Sequence, residues 1–331
     1  MQLVCPAGNL PALKTAIDQG ADAVYIGFKD DTNARHFAGL NFNTERAQQG
    51  LNYAHQRGKK VYLAINTYPQ PSGWTRWQTA VDQAAKLGFD ALIAADIGVM
   101  AYAHQNYPDL ALHLSVQGSA TTADALTFYY TQFNIKRAVI PRVLSLKQVI
   151  QIAQDSPVPL ELFGFGSLCV MVEGRCLLSS YATGQSPNTF GACSPAPFVE
   201  WKETSKGLET RLNKILIDCR GANESAGYPV LCKGRFKVNE QTYYAMEEPT
   251  SLNTLDILPK LQEIGIAAIK IEGRQRSPMY VKQVTQVWRA ALDACQQSPK
   301  SYQAKKEWQA VLAKVSEGSQ TTLGAFHRPW Q

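Results

Sequence analysis

Apolar residues in this chain recur in one repeated phrase: a stretch of helical periodicity, a glycine, a small or acidic residue, then an unbroken apolar run. It reads TAIDQGADAVYIG, QAAKLGFDALIAAD and LQEIGIAAIKIEG. Each glycine is suited to close a helix, and each following run has the continuous apolar character of a parallel strand covered on both faces. Five further runs, at 3–5, 61–66, 112–117, 138–142 and 160–164, bring the strand candidates to eight. Helical stretches separate most of them. The expected fold is therefore α/β, a (β/α)8-like barrel of the TIM type, with a six-stranded or incomplete version also open.

One connection breaks the regularity. About a hundred residues, 167–267, separate the seventh and eighth candidates, far more than a βα connection requires. The expected organisation is 1–166 as the first seven βα units, 167–267 as an insert capping the barrel mouth, and 268–331 as the last strand, helix and tail. An insertion leaving the C-terminal end of a barrel strand lies where such barrels place their chemistry.

The insert carries Cys169, Cys176, Cys193 and Cys232, spaced C-x6-C-x16-C-x38-C in glycine-bearing loop sequence. Thiolate sulfur is the preferred ligand of zinc and of iron–sulfur clusters. Structural zinc sites usually rest on cysteine pairs about two to four residues apart, and none occurs here, so the spacing leans toward a larger cluster without closing off zinc. Gly166, Gly174, Gly191 and Gly234 let backbone amides approach sulfur, and Arg175, Lys233 and Arg235 can offset thiolate charge. The plain alternative is four buried small hydrophobes, but packing gives no reason for cysteines in polar, glycine-rich loops. Disulfides are disfavoured by compartment. The N-terminus has no charged region leading into an apolar one, and no long apolar run follows, so a cytoplasmic chain with reduced thiols is expected.

The run Glu161, Phe163, Gly166, Ser167, Leu168, Cys169, Gly174, Cys176 and Ser179 resembles the signature of the collagenase-like peptidases, family U32. The likeness extends over essentially the whole chain, from CPAGNLPALKTAIDQGADAVYIG to TTLGAFHRPWQ. In particular the chain is similar to a branch of that family acting in ubiquinone biosynthesis. That resemblance implies a 4Fe-4S cluster on Cys169, Cys176, Cys193 and Cys232, O2-independent hydroxylation of a prenylated aromatic ubiquinone precursor, and a heterodimer with a sister protein, UbiV. Other ubiquinone biosynthesis proteins are further expected partners. Some relatives that hydroxylate RNA are associated with prephenate, a dicarboxylate, as hydroxyl source, and the resemblance extends that donor to this chain.

Composition adds bounds. At 331 residues there is ample chain for one large core or two moderate ones. The net charge of +6 comes from scattered Lys and Arg with no block of like charge, which permits an anionic ligand without indicating nucleic acid. Polar groups where the apolar runs end are Cys5, Asn66, Asp96, Gln117, Arg142 and Glu272. Two of these segments are more specific: SVQGSA sets Gln117 beside Gly118, and KIEGRQRSP gathers Glu272, Arg274 and Arg276. Arginine forks suit bidentate carboxylate recognition, so Arg142, Arg274 and Arg276 are candidates to hold a carboxylated co-substrate. An internal Glu–Arg pair at the rim explains the same residues. His36 shares a loop with Asn33 and Arg35, the setting that distinguishes it from His55, His104 and His113, for which packing or solvent is the default. No residue is assigned as catalytic acid or base. Cys295 lies in a helical run, Cys219 is a substitute ligand should one of the four fail, and Cys5 has no assigned role.

These observations rank the functional classes. Oxygen-independent ring hydroxylation leads, followed by hydroxylation of tRNA or rRNA bases and then a non-enzymatic iron–sulfur accessory role. Proteolysis is weakest, because the chain has neither HExxH nor a G-x-S-x-G elbow.

Overall fold

The computed structural model describes residues 1–224 and 227–327. The chain opens with alternating strands and helices: β1 (Gln2–Pro6), α1 (Leu10–Asp18), β2 (Ala23–Gly27), α2 (Thr44–His55), β3 (Lys60–Ile65), α3 (Trp74–Leu87), β4 (Ala91–Ala94), α4 (Ile97–Asn106), β5 (Leu112–Leu114), α5 (Ala123–Phe133), β6 (Arg137–Val139), α6 (Leu146–Asp155) and β7 (Leu160–Ser167). A long excursion follows. It contains α7 (Leu178–Thr183), α8 (Pro187–Phe190), a three-stranded antiparallel sheet of β8 (Val199–Thr204), β9 (Gly207–Leu212) and β10 (Ile215–Arg220), and a hairpin of β11 (Arg235–Val238) and β12 (Gln241–Tyr244). The chain then returns through β13 (Ser251–Asn253), α9 (Leu258–Glu263), β14 (Ala268–Ile271), α10 (Pro278–Gln297), α11 (Lys306–Val315) and β15 (Thr321–Thr322).

Strands β1 to β7 and β14 pair in parallel, and β14 bonds to both β1 and β7, so the eight expected strands close into a barrel. Side-chain alternation gives it two cores. Leu3, Ile26, Leu63, Leu92 and Ile269 face the helical layer, whereas Val4, Tyr25, Tyr62, Ile93 and Ala268 fill the interior. The helices start where side chains cap orphan amides: Asn9, Asn43, Asp96, Thr122, Ser145 and Ser277 each accept from an amide of the first turn. Gly88 ends α3 in the left-handed conformation, as the repeated phrase requires.

The insert ends earlier than 267. From Ser251 the chain rejoins the barrel, because β13 lies antiparallel on β7, the Thr254 amide donates to the Gly164 carbonyl at 2.9 Å, and α9 supplies the helix ahead of the eighth barrel strand. The excursion proper is 168–250. The near end of the C-terminal segment packs on the body, β15 pairing with β13. The aromatic tip of the tail, 328–331, lies outside the described residues. No helix among the described residues is long and apolar enough to cross a membrane.

Candidate functional site

At the C-terminal end of the barrel, Tyr25, Arg35, Asn66, Ser115, Gln117, Arg142, Phe163, Lys270, Glu272 and Arg274 surround a small cavity of about 50 Å3. Its floor is an ion-paired layer in the barrel interior. Glu161 on β7 accepts from Lys270 Nζ at 2.7 Å and from Arg137 at 3.1 Å. Burial works against the Glu161 carboxylate, but Lys270 and Arg137 outweigh it and hold the carboxyl below its ordinary range. His113 lies in the same layer, edge-on to Tyr62, and burial drives its imidazole down to about 3, so it is neutral.

Higher up, Arg142, in the loop just past β6, donates from Nε to Glu173 Oε1 at 2.7 Å, also donates to the Ser167 carbonyl, and lies 4.4 Å from the centre of the Phe163 ring. Glu272 takes Arg35 Nε at 3.5 Å and the Ser167 amide at 3.4 Å. Its carboxyl too is held low, burial being outweighed by Arg35, Arg142 and Arg276. Arg274 differs from these. It is 4% exposed, donates to Asn33 Oδ1 at 3.1 Å and lies over the Tyr25 ring, with no carboxylate at ion-pair distance among the described residues. Burial lowers its guanidinium to about 10. Arg35, Arg137, Arg142, Lys270 and Arg274 thus confront only Glu161, Glu173 and Glu272, leaving a buried excess of positive charge.

The insert sits directly on this mouth. Gly174, at φ +83°, packs where a Cβ would lie 2.0 Å from the Gln117 carbonyl oxygen, and Gly191, at φ +81°, packs 2.4 Å from the Asn33 carbonyl in the same sense. Any side chain there would lift the loop off the barrel. Ser119 Oγ donates to the Glu173 carbonyl, adding a third attachment. These seats hold the segments of Cys169, Cys176 and Cys193 over the mouth, and Lys233, next to Cys232, reaches Ser167 Oγ at 3.0 Å. Each of the four thiols is raised above its ordinary value by burial and, in addition, by another of the set: Cys169 by Cys193, Cys176 by Cys169, Cys193 by Cys176, and Cys232 by the other three. Arg35 lies beside Cys193 and Cys169, and Arg142 beside Cys169. As placed, no three His, Cys, Asp or Glu side chains among the described residues converge closely enough to ligate a single ion.

Not all the candidates named from sequence meet here. Gln117, Arg142, Glu272, Arg274 and Asn66 line the cavity. Arg276 does not; it turns toward Glu317 at 3.7 Å and the Tyr280 ring. His36 sits against Gly191 and lines a second cleft. Asp96 is the cap of α4, and Cys5 faces the helical layer, where Thr285 donates to its sulfur at 3.3 Å. The Cys219 sulfur lies 3.6 Å from the Lys206 carbonyl. Tyr25, Lys270 and Glu173 were not singled out from sequence. Lys270 carries a signal, a charge inside an apolar run; Glu173 carries only its place between two cysteines.

Residues 8–329 match the model of peptidase family U32. The chain is 34% identical over 299 residues to an uncharacterized protease of Methanocaldococcus jannaschii, covering 89% of this chain and 65% of that protein. It is 34% identical over 295 residues to tRNA hydroxylation protein P of Helicobacter pylori, covering 88% and 64%. Against the 23S rRNA 5-hydroxycytidine C2501 synthase of Escherichia coli the identity is 30% over 294 residues, 89% of this chain and 39% of that one. The chain therefore spans slightly less than two thirds of the first two relatives' lengths. A solved U32 peptidase superposes with a TM-score of 0.51 over 84% of this chain and 94% of that one, at 12% identity, a likeness of fold. By the family match along nearly its whole length, this chain belongs to peptidase family U32.

Proposed function

We propose that the chain is the cluster-bearing subunit of an O2-independent hydroxylase whose substrate is the aromatic ring of a prenylated ubiquinone precursor. Cys169, Cys176, Cys193 and Cys232 are the proposed ligands of a 4Fe-4S cluster. The observation carrying this reading is that Gly174 and Gly191 seat the segments bearing Cys169, Cys176 and Cys193 over a buried, arginine-rich cavity at the barrel mouth, while Lys233, next to Cys232, reaches Ser167 Oγ at 3.0 Å. A four-iron cluster takes one cysteine at each iron, and binding it would displace the four thiol protons. When bound, the cluster would supply one-electron redox chemistry and a local negative charge facing Arg35 and Arg142.

The protein's own residues have separable tasks in this reading. Arg274, without a carboxylate partner, and the excess cations beside it favour a carboxylated co-substrate such as prephenate. Phe163 and Tyr25 hold Arg142, Lys270 and Arg274 against their ring faces and so fix the cations at the mouth. Glu173 and Arg142 lock the cysteine loop to the barrel, and Tyr68 holds the Gln117 carbonyl at 2.6 Å. Proteolysis finds no support at Ser167, the hydroxyl in the family signature. Its neighbour Lys233, at 3.0 Å, is engaged by Glu317 and offers a hydrogen-bond donor rather than a base.

Assignment to a ubiquinone precursor, with UbiV as partner in the cytoplasm, rests on the likeness to the UbiU branch of the family. The relatives' names favour a second reading, hydroxylation of a tRNA or rRNA base. A gene-deletion strain grown without oxygen separates the two. Accumulation of the unhydroxylated prenylated ring, with hydroxylated nucleosides of tRNA and 23S rRNA unchanged, is expected by mass spectrometry. Intact quinone with a missing hydroxynucleoside would transfer the assignment to RNA.

A further inference from the structure

A second, larger cleft of about 510 Å3 lies beside the mouth. Its apolar wall is Phe37, Phe190, Ala192, Pro195, Ala196 and Pro197, and its outer rim is charged, with Arg76 on Asp31 at 2.5 Å. Two features tie it to the first cavity. Ala34 and Arg35 line the first cavity and His36, Phe37 and Ala38 line the second, so a single loop forms the wall between them. On the other side, Ala192 and Ser194 flank Cys193, so the cleft is walled by the same segment that presents a thiol to the mouth.

We infer that this cleft binds the prenyl chain of the substrate while the ring lies at the neighbouring barrel mouth; the inference rests on the ubiquinone-precursor reading above. A hydrocarbon chain in the first cavity would strip solvent from Arg142, Lys270, Glu272 and Arg274 with nothing to replace it. The cleft presents the opposite chemistry. Its volume falls in the range of about 300–1,000 Å3 common for organic ligands, and its apolar wall is where isoprene units leave water at lowest cost. The charged rim sits where the chain would emerge to solvent.

The test uses the anaerobically purified, iron-loaded protein with its partner and three probes: a phenol, the same phenol bearing a farnesyl chain, and that farnesyl phenol tipped with benzophenone. Farnesyl is expected to tighten binding by about tenfold or more. Ala196→Trp, at an exposed position that fills the cleft, should remove that increment and leave the bare phenol unaffected. Phe190→Ser should reduce it, and photolabelling should fall on peptides containing 36–38 or 185–197. An increment preserved in both variants, or labelling elsewhere, overturns the tail site and leaves the ring assignment standing. Failure of wild-type protein to bind either phenol defeats the ubiquinone reading and the tail site together. Iron content measured on each variant separates cleft filling from loss of Cys193 as a ligand.

Discussion

The barrel and the insert are held together by different means. The barrel buries Leu3, Leu13, Ile26, Leu63, Leu92, Leu114, Ile269, Trp288 and many more in one continuous core, and it keeps its charged interior because each carboxylate there has a cationic partner. The insert's own core is Ala182, Leu212 and Ile217, with Phe198, Val199, Leu231 and Phe236 half-buried around them. About eighty residues cannot be stabilised by so small a core, and chains in that position rely on metals, cross-links or docking. Asp218, wedged between Arg220 and Arg235, and the glycine seats at Gly174 and Gly191 help, and the proposed four-thiol cluster would add a further fastener. Under that proposal functional chemistry and local stability coincide in the insert and are separate in the barrel.

The sharpest way to break that contrast is to remove the cluster. Anaerobic chelation, or Cys193→Ala, should cost amides of 168–250 most of their hydrogen-exchange protection while β1 to β4 keep theirs. An insert that stays protected would show that docking alone holds it. A smaller effect, on the other region, follows from Glu161→Leu, which leaves Lys270 and Arg137 unpaired in the barrel interior. Such a loss of one partner from a buried pair costs about 3–5 kcal/mol, read as a lowered urea midpoint of the barrel transition.

Arg274→Met probes the mouth without touching either fastener. Because the guanidinium has no carboxylate partner, stability should hold or rise slightly, whereas binding of a carboxylated donor such as prephenate should weaken by roughly 10- to 100-fold in calorimetry. Equal binding would show that Arg274 serves only Asn33 and Tyr25.

The most gradual effect is a pH slope. His113 cannot take up a proton in the folded barrel until about pH 3, whereas the unfolded chain does so near 6.5. Stability should therefore fall as pH drops below 6.5, by at most ~1.4 kcal/mol per pH unit, and His113→Gln should flatten that limb in pH-dependent denaturation. Glu161 and Glu272, whose carboxyls are held below 4.5, contribute stability that is present above that pH and is lost as pH falls through their lowered values.

The barrel is legible in sequence because its strands are buried on both faces and punctuated by helix-closing glycines; all eight apolar runs become strands. The insert is opaque for the opposite reason. Its hairpin turns use Asn213–Lys214 and Asn239–Glu240, both pairs at positive φ, where the familiar asparagine–glycine signal is absent, and β8 and β12 are mostly exposed with no apolar alternation to follow. Its far boundary is misplaced because β13 is too short to read as a strand. At the mouth, residues on strand ends such as Gln117, Arg142 and Glu272 can be found by position. Pairings cannot: Glu272 takes Arg35 from a distant loop instead of neighbouring Arg274 or Arg276, and the Glu173–Arg142 pair joins insert to barrel across space.

The central claim, that Cys169, Cys176, Cys193 and Cys232 hold a 4Fe-4S cluster over the mouth, is tested most directly by anaerobic purification followed by iron, sulfide and zinc analysis with EPR. About four iron and four sulfide per chain, depleted in Cys176→Ala, is the expected result. One zinc per chain without sulfide would contradict it, and would make the insert a structural cap over chemistry carried by the arginine-lined barrel alone.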